Sequence, residues 1–194
     1  MLSSIHPLGE RARNQHWGLT VAAYVSGSTL GGMVTGLSAG TIGMSIAAIW
    51  RPPVAILSLF VAALAAAGLW ADLGKDRLFT VRRQVNEDWL DEYRGWVYGI
   101  GFGFQLGLGW VTIITSSLVY LTFMFAALTA SPPAGALVGL AFGFTRSLPV
   151  VLTARIRTPR QLVTFHRRMA SWFGSARRMA ATAQGLVSVT AIIT

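Results

Sequence analysis

A few polar side chains lie inside the long apolar stretches of this chain, and their types and spacing carry its candidate chemistry. The most distinctive stretch covers residues 99–117 and is rich in glycine, and a comparable stretch covers residues 27–43. Where glycine-rich helices break inside a membrane, backbone and hydroxyl groups can line the path of a solute. The pattern therefore predicts a polar path between helices. The predicted path residues are Gln105, Thr112, Thr115, Arg146, Thr35, Ser38 and Thr41.

A purely structural role explains the same hydroxyl groups at least as well. Ser and Thr side chains in apolar helices form hydrogen bonds to neighbouring helices, and each such bond typically contributes less than about 2 kcal/mol. The sequence leaves both interpretations open for each hydroxyl taken singly.

Arg146 is the only charged residue well inside a clear apolar stretch. An ionisable residue at such a position is a candidate functional group, and its guanidinium could meet an anionic solute or a partner's carboxylate. The alternative is that its long side chain extends to the nearby membrane interface. The two interpretations are about equally favoured by the sequence.

Glycines recur at four-residue spacing in three segments of the chain. Stripes of small residues let helix backbones approach closely inside a membrane, where the hydrophobic effect does not drive helices together. The pattern predicts close packing, either within the chain or between copies. The predicted packing residues are Gly99, Gly103, Gly107, Gly135, Gly139 and Gly143.

The seven acidic residues avoid the apolar stretches, and four of them fall within residues 87–92. A solvated surface is favoured there over a divalent-ion site, because Arg82, Arg83 and Arg94 are close in sequence. The chain contains no cysteine, which excludes thiol chemistry. We therefore expect no catalytic residue, no cofactor, no metal, no buried carboxylate for proton relay and no enzymatic activity. The histidines are isolated and are expected at the membrane surface: His6, His16 and His166.

The composition places these residues in a membrane protein. Hydrophobic residues make up 53% of the chain and charged residues 12%, against about 25% charged residues in soluble proteins. The mean hydropathy is +0.55. The net charge is +9, and the basic residues lie between the apolar stretches. Anionic lipid headgroups are therefore the expected partners, and nucleic acid is not.

Five apolar stretches are candidates for membrane helices, and two of them are too long for one ordinary crossing. About 20 helical residues cross a bilayer, which fits residues 53–71 and 134–152. Residues 17–50 and 96–129 must either extend beyond the membrane or break at their glycines. Residues 181–194 are expected to dip into the membrane or to pack on the other helices.

The order of these stretches predicts an internal repeat. Repeat 1 covers about residues 17–94, repeat 2 covers about residues 96–180, and a short apolar segment follows at 181–194. Arg and Lys cluster before the first repeat, between the repeats and after the second, whereas Arg51 lies on the other side. The positive-inside rule then places the N-terminus in the cytoplasm, in a multi-pass protein of the inner membrane.

Residues 158–180 predict an amphipathic helix on the cytoplasmic membrane surface. Thr158 can cap its N-terminus and Pro159 suits the first helical turn. Its Arg residues would contact anionic headgroups, with a partner-binding or connecting helix as the alternative.

The segment GFGFQLGLGWVT at residues 101–112 resembles the glycine-rich fourth-helix region of the CcdA/DsbD transmembrane family, within the LysE-type transporter superfamily. The resemblance implies a duplicated helical core with broken helices at the repeat interface. It does not imply thiol electron transport, because Val111 and Thr112 follow Gly109-Trp110 where the family has a Pro-Cys pair.

The sequence thus predicts an all-α, polytopic membrane bundle of two repeated units with cytoplasmic amphipathic helices. The favoured function is a transporter or channel for a small solute, with anions among the candidate solutes, and without coupling to protons or sodium through Asp or Glu. The alternative is a non-catalytic anchor or scaffold subunit of a larger membrane complex. We expect a homo-oligomer or a membrane-protein partner.

Overall fold

A computed structural model describes residues 5–73, 92–111 and 116–193, and within these ranges the chain is helical and contains no strand. The helices are α1 (Pro7–Ala12), α2 (Trp17–Ile49), α3 (Val54–Leu73), α4 (Gly95–Leu108), α5 (Leu118–Leu128), α6 (Pro132–Ser147) and α7 (Pro159–Ile193), and a 3₁₀ helix (Leu148–Arg155) continues α6.

Among the described helices, three are long and apolar enough to cross a membrane. They are α2 with 33 residues, Val54–Asp72 with 19 residues, and Pro132–Arg155 with 24 residues. Large apolar side chains cover their outer surfaces, and Ile49 and Trp70 are 89% and 77% exposed. Helices of this length and surface identify a membrane protein.

Helix α2 is central, and it is one unbroken helix of 33 residues. Of the two alternatives that the sequence left open for the first long stretch, the structure has the continuous helix and not the break. The glycines instead make room for neighbouring backbones: a Cβ at Gly36 would overlap with the carbonyl oxygen of Gly135, and one at Gly43 with that of Ala127. Such contacts hold the helix straight through its glycine-rich middle.

The second long stretch does break. Helix α4 ends at Leu108, and Gly109 adopts a φ of +77° that a residue with a side chain rarely accepts. Helix α5 begins at Leu118, nine residues after Gly109. The two long stretches thus fold differently despite their similar composition.

Two faces of α2 bind two different helices through glycine. Helix α4 runs parallel to α2, with Gly27 against Ile100 and Gly31 against Phe104. Helix α6 runs antiparallel, with Gly32 against Gly139. The predicted packing residues all lie in these two contacts, each directly against a backbone carbonyl of α2: Gly99, Gly103, Gly107, Gly135, Gly139 and Gly143.

Helix α7 is a single helix of 35 residues, so residues 181–193 continue the helix that begins at Pro159, and they pack on another helix, which is one of the two expected arrangements. Its N-terminus is capped as predicted, because the Gln161 amide donates to Thr158 Oγ1 at 3.3 Å. Its second half packs antiparallel on α3, where Ser188 Oγ donates to the carbonyl oxygen of Ala62 at 3.0 Å. The polar side chains in this half of α7 lower its mean hydropathy.

Candidate functional site at the helix break

The C-terminus of α4 is held by a side chain from α2. Thr35 Oγ1 donates to the carbonyl oxygen of Leu108 at 3.3 Å, and it lies 3.2 Å from the carbonyl of Gly31 in its own helix. Thr35 is 18 residues beyond Trp17, or about 27 Å along the 33-residue α2. The break therefore lies near the middle of the longest membrane helix.

The N-terminus of α5 is held by a carboxylate from α3. Asp72 accepts hydrogen bonds from the Ser117 amide at 3.0 Å, the Ser116 hydroxyl at 2.8 Å and the Ser117 hydroxyl at 3.1 Å. The first amide groups of a helix have no partners within the helix and carry partial positive charge. A carboxylate is the side chain that satisfies both features.

Helix α7 supplies the fourth member of this group. Gln184 is completely buried, and its Nε2 donates to Asp72 Oδ2 at 2.8 Å and to Ser117 Oγ at 2.7 Å. Its Oε1 is buried and has no hydrogen-bond partner among the described residues. We call Asp72, Ser116, Ser117 and Gln184 the Asp72 cluster.

The surroundings of the Asp72 cluster are apolar. A cavity of about 250 Å³ adjoins Ser117 and is lined by side chains of α3 and α5. Gly68 lets α5 approach α3, since a Cβ there would lie 2.6 Å from Ser117 Oγ. Arg177 Nε caps the end of α3 by donating to the main-chain oxygen of Asp72 at 2.6 Å. The site is thus a set of polar atoms from three helices in an apolar setting.

A second carboxylate that joins helices, this one fully buried, lies where α1 packs on the starts of α2 and α4. Glu10 is fully buried and accepts hydrogen bonds from Tyr98 at 2.6 Å, Thr20 at 2.7 Å and Arg13 at 2.8 Å. Burial lowers the pKa of Arg13, but its hydrogen bond and charge interaction with Glu10 outweigh this, and the pKa is raised overall. The Glu10 carboxylate is hydrogen-bonded to side chains of the fold itself, which indicates a structural role.

Glu10 corrects the expectation that no buried carboxylate exists, and Asp72 is half-buried. That expectation equated burial with position inside an apolar stretch. Glu10 is instead buried by a short helix folding back on the bundle, and Asp72 follows directly on the apolar stretch 53–71. His6 is likewise buried and not at the surface: its Nδ1 accepts from the Gly9 amide at 3.0 Å and caps α1.

The predicted path residues that the structure describes lie in different surroundings. Thr35 lies at the break, but Ser38 and Thr41 are exposed and bond to their own helix, with distances of 2.9 and 2.8 Å. Gln105 is half-buried on α4. Arg146 is half-buried and its guanidinium lies 5.4 Å from the centre of the Phe142 ring. Outside the described residues lie Thr112, Thr115 and the acidic residues Glu87, Asp88 and Asp91.

Sequence reasoning missed Asp72 and Gln184, and each had a detectable signal. Asp72 is the first acidic residue after an apolar stretch, and Gln184 is the single amide within residues 181–194. Neither signal says that the two side chains meet. Within the described ranges, His, Asp and Glu residues form no group of three that could hold a metal ion.

The chain is similar to a methylamine utilization protein. It is 28% identical over 189 residues to the methylamine utilization protein MauF of Paracoccus versutus. The match covers 96% of this chain and 66% of MauF, so the chain spans slightly less than two thirds of that protein's length. No protein-family model and no solved structure matches the chain.

Proposed function

We propose that this chain is a multi-pass membrane transport protein that moves a small solute along the α4–α5 break. The observation that carries the proposal is the pair of helix ends at Leu108 and Ser117, the first of them near the middle of α2, each held by side chains from other helices. Polytopic transporters build their solute sites from such discontinuous helices, because the unpaired backbone groups at a break can bind solutes and ions at membrane depth.

Side chains from α2 and α3 stabilise the break between α4 and α5. A helix end inside a membrane is unfavourable unless its backbone groups are satisfied. Thr35 satisfies one end and Asp72 the other. Both caps are polar groups that a solute could displace or join, whereas a continuous helix would offer neither.

The proposal also includes the position of α7 and of the N-terminus relative to the membrane. The Arg-rich first half of α7 is exposed and would lie against anionic headgroups of the inner membrane, with the N-terminus in the cytoplasm. The duplicated core and the CcdA/DsbD-like scaffold stay proposals, as does a non-enzymatic role. Parallel packing of α2 and α4 is the arrangement that a parallel repeat requires.

Reconstitution in liposomes tests the proposal. Stopped-flow light scattering would follow uptake of sodium, ammonium, methylammonium and small organic anions by vesicles that contain the protein. We expect Thr35→Val to reduce uptake of the transported solute severalfold, because it removes the cap of α4 without changing side-chain volume. Thr41→Val is the matched control: its hydroxyl is exposed and bonds only within α2. Uptake equal to that of empty vesicles for every solute would reject transport by the chain alone.

A second candidate function is a membrane subunit of a complex that serves methylamine utilisation. The similarity to MauF over nearly the whole chain supports it. Native mass spectrometry of the protein, extracted gently from its own membrane, separates the two. A stoichiometric foreign subunit, together with loss of growth on methylamine after deletion, would favour the subunit. A homo-oligomer or monomer and normal growth on methylamine would remove it.

A further inference from the structure

We propose that the Asp72 cluster is a binding site for a small monovalent cation such as Na⁺ or ammonium. The proposal deepens the transport function, because it assigns an ion to the helix break, and it replaces the anionic solute expected from Arg146.

The first argument is the buried amide oxygen of Gln184. The amide lies inside the cluster, since its Nε2 contacts both Asp72 and Ser117. Its orientation is fixed by chemistry, because only the NH₂ group can donate to a carboxylate. Oε1 is therefore left as a buried acceptor with no partner among the described residues. A buried acceptor of this kind is costly unless a donor or a cation satisfies it.

The second argument is the set of oxygen atoms that the cluster contains. The cluster offers the Asp72 carboxylate, the Ser116 and Ser117 hydroxyl oxygens and Gln184 Oε1. Oxygen atoms of carboxylates, hydroxyls and amides are the ligands that hard cations prefer. The two hydroxyls donate to Asp72 in this structure, at 2.8 and 3.1 Å. Rotation about their C–O bonds turns their lone pairs towards an ion beside the carboxylate.

The third argument is charge. Asp72 is the single carboxylate in the cluster, and Arg177 binds its main-chain oxygen. The carboxylate attracts a cation and would repel an anion, and the neighbouring Arg177 guanidinium makes one added positive charge less unfavourable than the two of a divalent ion.

Thermal unfolding of the purified protein in detergent tests the site without assuming transport. The Tm would be followed by tryptophan fluorescence in NaCl, KCl and NH₄Cl, with choline chloride at equal ionic strength as the reference. An ion at ten times its Kd is expected to raise the Tm by roughly 3–6 °C. Asp72→Asn and Gln184→Leu should abolish the rise, and Ser188→Ala should keep it. Ser188 lies in the same α3–α7 contact but outside the cluster.

Each outcome decides the proposal. A wild-type Tm that is equal in all four salts overturns it, as does an undiminished rise in Asp72→Asn or Gln184→Leu. A rise in wild type and Ser188→Ala alone supports it, and the ion that gives the largest rise identifies the ligand. If Asp72→Asn does not fold, Gln184→Leu decides, because that variant keeps the Asp72 carboxylate of α3 and its hydrogen bonds to the N-terminus of α5. Ion binding without any vesicle uptake would reject transport and keep the site, whereas uptake without ion binding would do the reverse.

Discussion

At the scale of single residues, the buried contact between Glu10 and Tyr98 ties α1 to the start of α4. The Tyr98 hydroxyl lies 2.6 and 2.7 Å from the two carboxylate oxygens of Glu10. Tyr98→Phe would leave a buried carboxylate with one donor fewer. We expect the free energy of unfolding to fall by about 1–3 kcal/mol, the cost of an unsatisfied buried group. Denaturant unfolding in mixed micelles, followed by tryptophan fluorescence, measures the change.

Tyr120→Phe is the control for this prediction. Tyr120 is 40% exposed on α5, and substitutions at exposed positions usually change stability by less than about 0.5 kcal/mol. Equal unfolding curves for the two variants would show that the hydroxyl of Tyr98 contributes no more than that of an exposed tyrosine.

Residue types alone did not distinguish the residues that contact the helix break from similar residues that do not. Thr35, Ser38 and Thr41 have the same chemistry on the same helix, yet only Thr35 contacts the end of α4. The difference depends on which face of α2 each hydroxyl occupies and where α4 ends. Asp72 and Gln184 are 112 positions apart, and a single sequence contains no signal that joins them.

At the scale of helices, the glycine contacts of α2 leave no room for side chains. A Cβ at Gly139 would overlap with the carbonyl oxygen of Gly32, which belongs to a rigid helix backbone. We expect Gly139→Ala to separate α2 and α6 and to lower the free energy of unfolding by roughly 3 kcal/mol, the upper range for overpacking. Thermal unfolding and the yield of monodisperse protein in detergent measure the loss.

Gly174 provides the matched control in α7. It also lies inside a helix, but a Cβ there would meet no atom within 4 Å. Gly174→Ala is therefore expected to leave stability unchanged or to raise it by about 0.5–1 kcal/mol, since Ala favours the helix. Similar behaviour of the two alanine variants would contradict the proposed close contact.

The helix boundaries show what composition can and cannot decide. Both long stretches carry glycine patches, so both were candidates for a break. Helix α2 stays continuous because its glycines contact helix backbones on two sides, whereas Gly109 ends α4 with a positive φ. The amphipathic helix from Thr158 was predictable from its cap and spacing, but its extension along α3 depends on polar contacts that appear only in the folded chain.

At the scale of the whole molecule, the arrangement follows from one long helix that binds others on separate faces. Helices α4 and α5 lie end to end beside α2, and α6 returns antiparallel to it. The apolar lengths predicted that the chain is a helical membrane protein. The central position of α2 was not predictable, because it depends on which glycine stripes pair, and the internal repeat stays a prediction.

The same arrangement gives the molecule two ends whose sides of the membrane can be measured. Arg51 follows the end of α2, and Arg157 lies in the connection before α7, near the opposite end. Since most basic residues lie at the latter end, the positive-inside rule places Arg157 in the cytoplasm and Arg51 outside. The chain contains no cysteine, so Arg51→Cys and Arg157→Cys each create a single reactive site. In intact spheroplasts, a membrane-impermeant maleimide is expected to label the first variant at once and the second only after permeabilisation. Wild type gives the background, and the reverse pattern would invert the proposed orientation and place the Arg-rich half of α7 outside the cell.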